Sequence, residues 1–279
     1  MNYRALTAKS FALRRDVLDL IYSGKSGHFG GDFSVMDILV TLYYSQMNTT
    51  PKNFKDKNHD RFILSKGHCV EALYAVLADR GFFPKSDLET FSQLGSKYIG
   101  HPNNKVNGIE MNTGSLGHGL SVGVGMALAG KMDDLDYRVY VVMGDGELAE
   151  GSVWEGAMSA SHYKLDNLTA FVDRNRLQIS GSTESIMAQD DLSERWKAFG
   201  WNVLEAPGHN IEALDCAVNQ AKNFKSKPTM IIAHTTKGYG YSEAENQAGW
   251  HHKVPNAVQY EAAVAELKQR EGDALEHHP

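Results

Sequence analysis

With 279 residues, 42% of them hydrophobic and 22% charged, the chain has room for one large α/β domain or two small ones, and for a core that needs no cross-links. A formal charge of −6 argues against nucleic acid as the main partner, because no basic stripe dominates. No apolar run approaches the roughly 20 residues of a membrane helix, and the two cysteines, Cys69 and Cys216, imply a reducing, cytoplasmic setting rather than a disulfide framework.

The first predicted helix carries Leu13, Val17, Leu20 and Ile21 at helical spacing, and the charges around them (Arg4, Lys9, Arg14, Arg15, Asp16) do not suit a signal peptide. A second helix follows from Val35, Ile38, Leu39, Leu42 and Tyr43, with Ser34 and Asp37 marking its start. Between them, residues 24–31 contain Gly24, Gly27, Gly30 and Gly31 around His28 and read as a loop. A strand at 61–64 runs into a turn at Gly67 and His68, and a helix is expected at 72–77. Residues 120–130 form a helix of small residues. Strands then alternate with helices: strand 138–143, helix 153–163, strand 168–172, strand 201–204, helix 211–224 and strand 229–233.

Apolar strands alternating with helices predict an α/β fold, a doubly wound, mostly parallel sheet with helices on both faces. Residues 1–272 are expected to form one domain, with 273–279 a tail that reads as a partial expression tag. Sites in such sheets gather beyond the carboxyl ends of the strands, and here polar or glycine-rich clusters follow Leu64, Met143, Val172 and Ala233.

The strongest local signal is the run after strand 138–143: Gly144, Asp145, Gly146, Glu147, Leu148, Ala149, Glu150. Gly144, Gly146 and Ala149 imitate a dinucleotide fingerprint, with Asp173 at the end of the next strand as the ribose ligand. The chemistry argues otherwise. That fingerprint brings a bare pyrophosphate onto backbone amides, whereas Asp145 would repel it unless a cation intervenes. Magnesium prefers oxygen donors at roughly 2.0–2.1 Å, commonly one or two carboxylates together with phosphates. Asn175 stands thirty positions after Asp145, one βαβ step, so the two loops lie side by side. Asp145 can give a carboxylate oxygen, Asn175 an amide oxygen and Leu177 a backbone carbonyl, while the amide of Gly146 faces the phosphate. A bare strand-ending turn also favours Asp between glycines; the preceding strand, the spaced Asn175 and the acidic helix start turn the balance toward a metal.

The segment from Gly144 to Glu150 with Asp173, Arg174 and Asn175 resembles the thiamine diphosphate motif of transketolases. So do Lys25 to His28, Arg61 to His68, Gly100 to Pro102, Asn112 to Gly117, and Gly249 to His251, in order and spacing over about 250 residues. The resemblance implies thiamine diphosphate with Mg2+ as cofactors, and transfer of a two-carbon ketol unit from a ketose or ketose phosphate to an aldose.

An isolated histidine is usually structural, yet His28, His68, His101 and His251 each sit in a glycine-containing loop and can hydrogen-bond phosphate or sugar oxygens near neutral pH. The resemblance assigns His68 and His251 to the diphosphate, and His28 and His101 to the bound sugar and its developing alkoxide. It also gives Gly114 a backbone contact to the aminopyrimidine and Leu116 a packing contact to the ring system. Small residues there serve close helix packing equally well. Glu150 is read both as part of a charge network around the metal and as a helix N-terminal dipole partner.

Three positions depart from the family pattern: Phe29 stands where proline is usual, His118 where glutamine is common, and His252 where glycine is common. Phe29 is expected to reshape the loop near the sugar, and His252 to add bulk and a possible charge beside the diphosphate, both arguing against the ordinary pentose phosphate as substrate. Full-length transketolases continue into a second α/β domain that carries the activating glutamate, so the resemblance is to the N-terminal subunit of a two-chain enzyme, paired with a C-terminal transketolase subunit in an α2β2 heterotetramer. The alternatives are another thiamine diphosphate enzyme, of α-ketoacid dehydrogenase or deoxyxylulose phosphate synthase type, and a non-catalytic cofactor-binding module.

Overall fold

The structure, a computed structural model, describes residues 1–276. Helix α1 (Tyr3–Gly24) starts where the Asn2 side chain accepts from the Ala5 amide (3.1 Å) and stops at Lys25, whose φ of 50° is left-handed. Helix α2 (Phe29–Thr41) follows at once and widens into a π turn at Leu42–Gln46. Strand β1 (Arg61–Leu64) leads through a short turn at Gly67–Cys69 into α3 (Val70–Asp79). After a long irregular stretch come α4 (His118–Met132), β2 (Val139–Gly144), α5 (Gly151–His162) and β3 (Leu168–Arg174). A two-residue hairpin, β4 (Leu177–Gln178) with β5 (Gly181–Ser182), precedes α6 (Thr183–Ile186) and α7 (Leu192–Ala198). The chain closes with β6 (Asn202–Pro207), α8 (Ile211–Asn223), β7 (Thr229–His234) and α9 (Ala257–Glu276).

The five long strands form one parallel sheet in the order β1-β2-β3-β7-β6. Its two faces divide the apolar residues by the strand period of two. Tyr140, Val142, Phe171, Ile231 and Ala233 meet α1, α2, α3, α8 and α9 on one face. Val141, Met143, Ala170, Val172, Met230 and Ile232 meet α4, α5 and α7 on the other. The doubly wound α/β fold expected from the alternation is therefore present.

Differences lie at boundaries and in short elements. Helix α2 begins at Phe29, five residues before the Ser34 start, so Gly30 and Gly31 belong to its first turn. Their place is set by close approach rather than by a bend: a Cβ on Gly30 would fall 2.9 Å from Lys237 Cε and the Trp250 carbonyl, and one on Gly31 2.5 Å from Cys69 Sγ. The α9 helix carries no clear sequence signal, because within it Ala263 and Leu267 are its buried residues. Residues 273–276 form the last turn of α9; the rest of the predicted tail lies outside the described residues.

Candidate active site

Strand register aligns the loops that matter. Gly144 on β2 pairs with Asp173 on β3, and Asp173 pairs with Ala233 on β7, so the three strands end on one line. Beyond it lies a cleft of about 380 Å³ whose lining includes His28, His68, His101, His251, Gly114, Leu116, Gly144, Asp145, Gly146, Asn175 and Leu177. Residues singled out in separate segments of the sequence thus converge. Glu150 does not join them: it is exposed at the N-cap of α5, and its side chain makes no capping hydrogen bond.

His28 is the hub of the histidines. Its ring centroid lies 5.1 Å from that of His68, 5.6 Å from His251, 6.2 Å from His101 and 4.7 Å from the exposed His252. Burial, with the neighbouring His252, His101 and lysine charges, pushes His28 down to about 4. Burial and Lys237 push His251 down to about 3, and burial holds His68 and His101 below the usual imidazole range. These rings are neutral near pH 7. Lys237 Nζ donates to His251 Nδ1 (2.8 Å), which puts the His251 proton on Nε2.

Two lysines enter the site that the sequence motifs assign no role. Lys66 is buried and ion-paired with the fully buried Asp173, and its Nζ also reaches the Gly31 carbonyl (3.3 Å). Burial opposes the ammonium, but contact with Asp173 outweighs it and holds Lys66 charged. Asp173 is held below the carboxylate range by the same pair and by Ser34 (2.6 Å) and Thr235. It is therefore part of the floor, which excludes the ribose-binding role the dinucleotide reading would need. Lys237 is equally buried, and its partners are neutral: the Leu177 carbonyl (3.4 Å) and His251. Burial and nearby Lys66 push it down to about 8. Both lysines stand in loops just beyond strand ends, the one signal that could have found them.

The oxygen donors fit a hard cation. Asp145 is buried, takes the amides of Gly146 (2.8 Å) and Arg176, and faces the Arg174 guanidinium at 3.3 Å. Burial, then Asp173, raise its carboxyl above the usual value. Asn175 Oδ1 accepts from the Leu177 amide (3.0 Å), which fixes the turn and sets the Leu177 carbonyl on the same cleft. Among the described residues no cluster of three or more His, Cys, Asp or Glu could hold a metal; a site of one carboxylate, one amide oxygen and one carbonyl needs ligand phosphates to complete it. Glu147 serves the frame: its carboxylate accepts from Ser65, the Gly117 amide (2.8 Å) and the Gly144 amide (3.0 Å), joining three loops.

Of the departures, Phe29 points away from the cleft. It stacks on Phe33 (3.9 Å) and leans on Trp250 (4.9 Å) in the core. It is the first residue of α2, where a proline is tolerated because that amide has no helical acceptor. The Phe29 ring thus serves the core rather than the cleft, whereas the sequence suggested an effect on the loop near a sugar. His118 is exposed at the start of α4.

The family model described as "Transketolase, thiamine diphosphate binding domain" matches residues 7–277. An apulose-4-phosphate transketolase component of Phocaeicola vulgatus, named as a subunit, is 49% identical over 97% of this chain and 96% of its own. The 6-deoxy-6-sulfo-D-fructose transketolase subunit SqwG of a Clostridium species is 42% identical over 92% of this chain and 94% of its own. Among solved structures, a Pichia stipitis transketolase in complex with sedoheptulose-7-phosphate superposes with a TM-score of 0.85 at 32% identity, covering 97% of this chain and 44% of that one. The Campylobacter jejuni transketolase gives 0.85 at 31% identity, covering 99% and 48%. The chain thus spans less than half the length of these transketolase structures.

Proposed function

The chain belongs to the transketolase family through its thiamine diphosphate-binding domain, and from this we propose that it is the cofactor-anchoring subunit of a two-component transketolase. The observation that carries the proposal is the convergence in one cleft of four histidines, two buried lysines and an all-oxygen donor set from Asp145, Asn175 and Leu177. Bound thiamine diphosphate supplies the carbanion chemistry by which a two-carbon ketol unit passes from a ketose to an aldose.

The protein's own groups have defined tasks. Asp145, Asn175 and the Leu177 carbonyl would hold Mg2+, and the Gly146 amide would be available to the diphosphate. Lys237, His68 and His251 are assigned to that anionic end; a diphosphate would add a negative partner to the carbonyl and imidazole that Lys237 contacts. His28 and His101 are assigned to the sugar, where neutral imidazoles can both donate to and accept from hydroxyl groups and move a proton at them. Gly114 and Leu116 line the wall assigned to the aminopyrimidine and the ring system. Glu150, exposed at the head of α5, stands where its carboxylate can act as a dipole partner of that helix.

Two relatives of nearly equal length are named as subunits, which supports a partner chain; that this partner carries the complementary domain and joins it in an α2β2 assembly is part of the proposal. Their names refer to phosphorylated and sulfonated sugars, which favours a ketose with an anionic terminus as donor. Two free cysteines, Cys69 buried and Cys216 exposed, support a cytoplasmic setting. The test is ketol transfer by the purified chain with and without a candidate partner subunit. Turnover that requires both is expected. Robust turnover by the single chain sinks the two-subunit reading, and cofactor binding without turnover in the complex favours a non-catalytic module.

A further inference from the structure

His209 lies outside the cleft, between the end of β6 and the start of α8, and is half-buried. Three contacts fix it. Its Nε2 accepts from the Thr236 amide at 2.7 Å, so the ring proton must sit on Nδ1, which donates to Asp37 Oδ2 at 2.8 Å. Its ring stacks on Tyr239 with centroids 3.6 Å apart and planes 9° from parallel. Asp37 is itself immobilised by Arg14, a fully buried guanidinium whose Nη2 lies 2.6 Å from the same oxygen and whose Nε and Nη2 also bind the Phe33 carbonyl.

The two residues that His209 grips, Thr236 and Tyr239, bracket Lys237 in the chain. A buried lysine side chain has four rotatable carbons and finds its place only if its backbone is held. On the other side the same loop is pinned by the Gly238 amide on the Gly30 carbonyl (2.9 Å). One imidazole thus ties the segment that delivers Lys237 to a rigid post formed by α1 and α2. We propose that His209 is a positioning residue that sets the Lys237 ammonium against the diphosphate end of the cleft, a role that rests on the reading of Lys237 given above.

A double-mutant cycle on the assembled two-subunit enzyme tests this, with thiamine diphosphate affinity in the presence of Mg2+ as the readout and the KM for the sugar donor as control. H209F keeps a ring against Tyr239 but removes both polar contacts; H209Q, which keeps one, replaces it if H209F does not fold. K237M alone is expected to weaken cofactor binding by about tenfold or more, and H209F alone by about tenfold, the scale on which loss of a supporting partner acts. In the double variant the two losses should not add, and in H209F alone the donor KM should stay within about twofold of the parent. Full additivity, or an unchanged cofactor affinity in both His209 variants while K237M loses it, overturns the positioning role and leaves the Lys237 reading standing. An undiminished affinity in K237M overturns both.

Discussion

At the scale of single residues, Asp145 carries the heaviest demand. Its oxygens already accept two backbone amides and face Arg174, so the group is pre-oriented before any cation arrives. Asp145→Asn keeps the shape and removes the charge; a loss of Mg2+-dependent thiamine diphosphate affinity of at least about tenfold is expected, equal to about 1.4 kcal/mol. Calorimetric titration of the assembled enzyme with and without Mg2+ measures it, and an unchanged affinity removes Asp145 from the metal site. The histidines give a pH signature. The unfolded chain takes up protons near pH 6.5, while the fold withholds them from His28 until about 4 and from His251 until about 3. Protons therefore favour the unfolded form, and the stability of the ligand-free chain should fall as pH drops from 6.5 toward 4. Urea midpoints across that range test this, and H28N should flatten the slope. Gly114 is the third case: at φ 140° an added Cβ would stand 2.6 Å from His101 Cδ2. Gly114→Ala should cost about 1–3 kcal/mol of stability and weaken cofactor binding at the same time, read from urea unfolding and titration.

Elements are legible in the sequence where burial writes a pattern. The strands β2, β3 and β7 announce themselves as largely apolar runs because both faces are covered, and that places the loops beyond them as well. Asp145 and Asn175 are legible for the same reason: each follows such a run at a fixed offset. Lys66 and Lys237 are not, since lysine ordinarily sits in solvent and nothing in the chain itself marks these two as buried. The start of α2 is misplaced by sequence because glycines that serve close approach look identical to glycines that serve a turn. The short β4–β5 hairpin, α6 and α7 lack the length for a period to show. What α2 contributes can be tested through Phe29, whose ring joins its first turn to the Trp250 segment that bears His251. Phe29→Ala should destabilise by about 3–5 kcal/mol, seen as a lower urea midpoint with an unchanged slope; a loss below about 0.5 kcal/mol, the ordinary surface value, would show the cluster to be dispensable.

On the scale of the whole molecule, the sheet presents its carboxyl edge as a platform on which segments from across the chain, from His28 to His251, meet. No helix among the described residues is long and apolar enough to cross a membrane. A ligand held by so many separate segments binds the folded form alone, so it should raise stability by mass action. For the assembled enzyme, thiamine diphosphate with Mg2+ at about 100 times its dissociation constant should add about 2.7 kcal/mol, visible as a rise in melting temperature. NAD at the same concentration should leave the transition where it is; a shift of similar size would revive the dinucleotide reading that Asp145 and Asp173 oppose.

The strand order carries a consequence for how the protein is made. Strand β6 pairs with β7 alone, and β7 is the later of the two in the chain. As synthesis proceeds, β1, β2 and β3 can zip together, but β6 has nothing beside it until residues 229–234 emerge and slot into the gap next to β3. Thr236 and Lys237 come directly behind that keystone strand. That stretch therefore both closes the sheet and brings Lys237 to the cleft, so a chain that stops short of it has neither a whole sheet nor a competent pocket, and closure of the sheet waits on a non-local pairing.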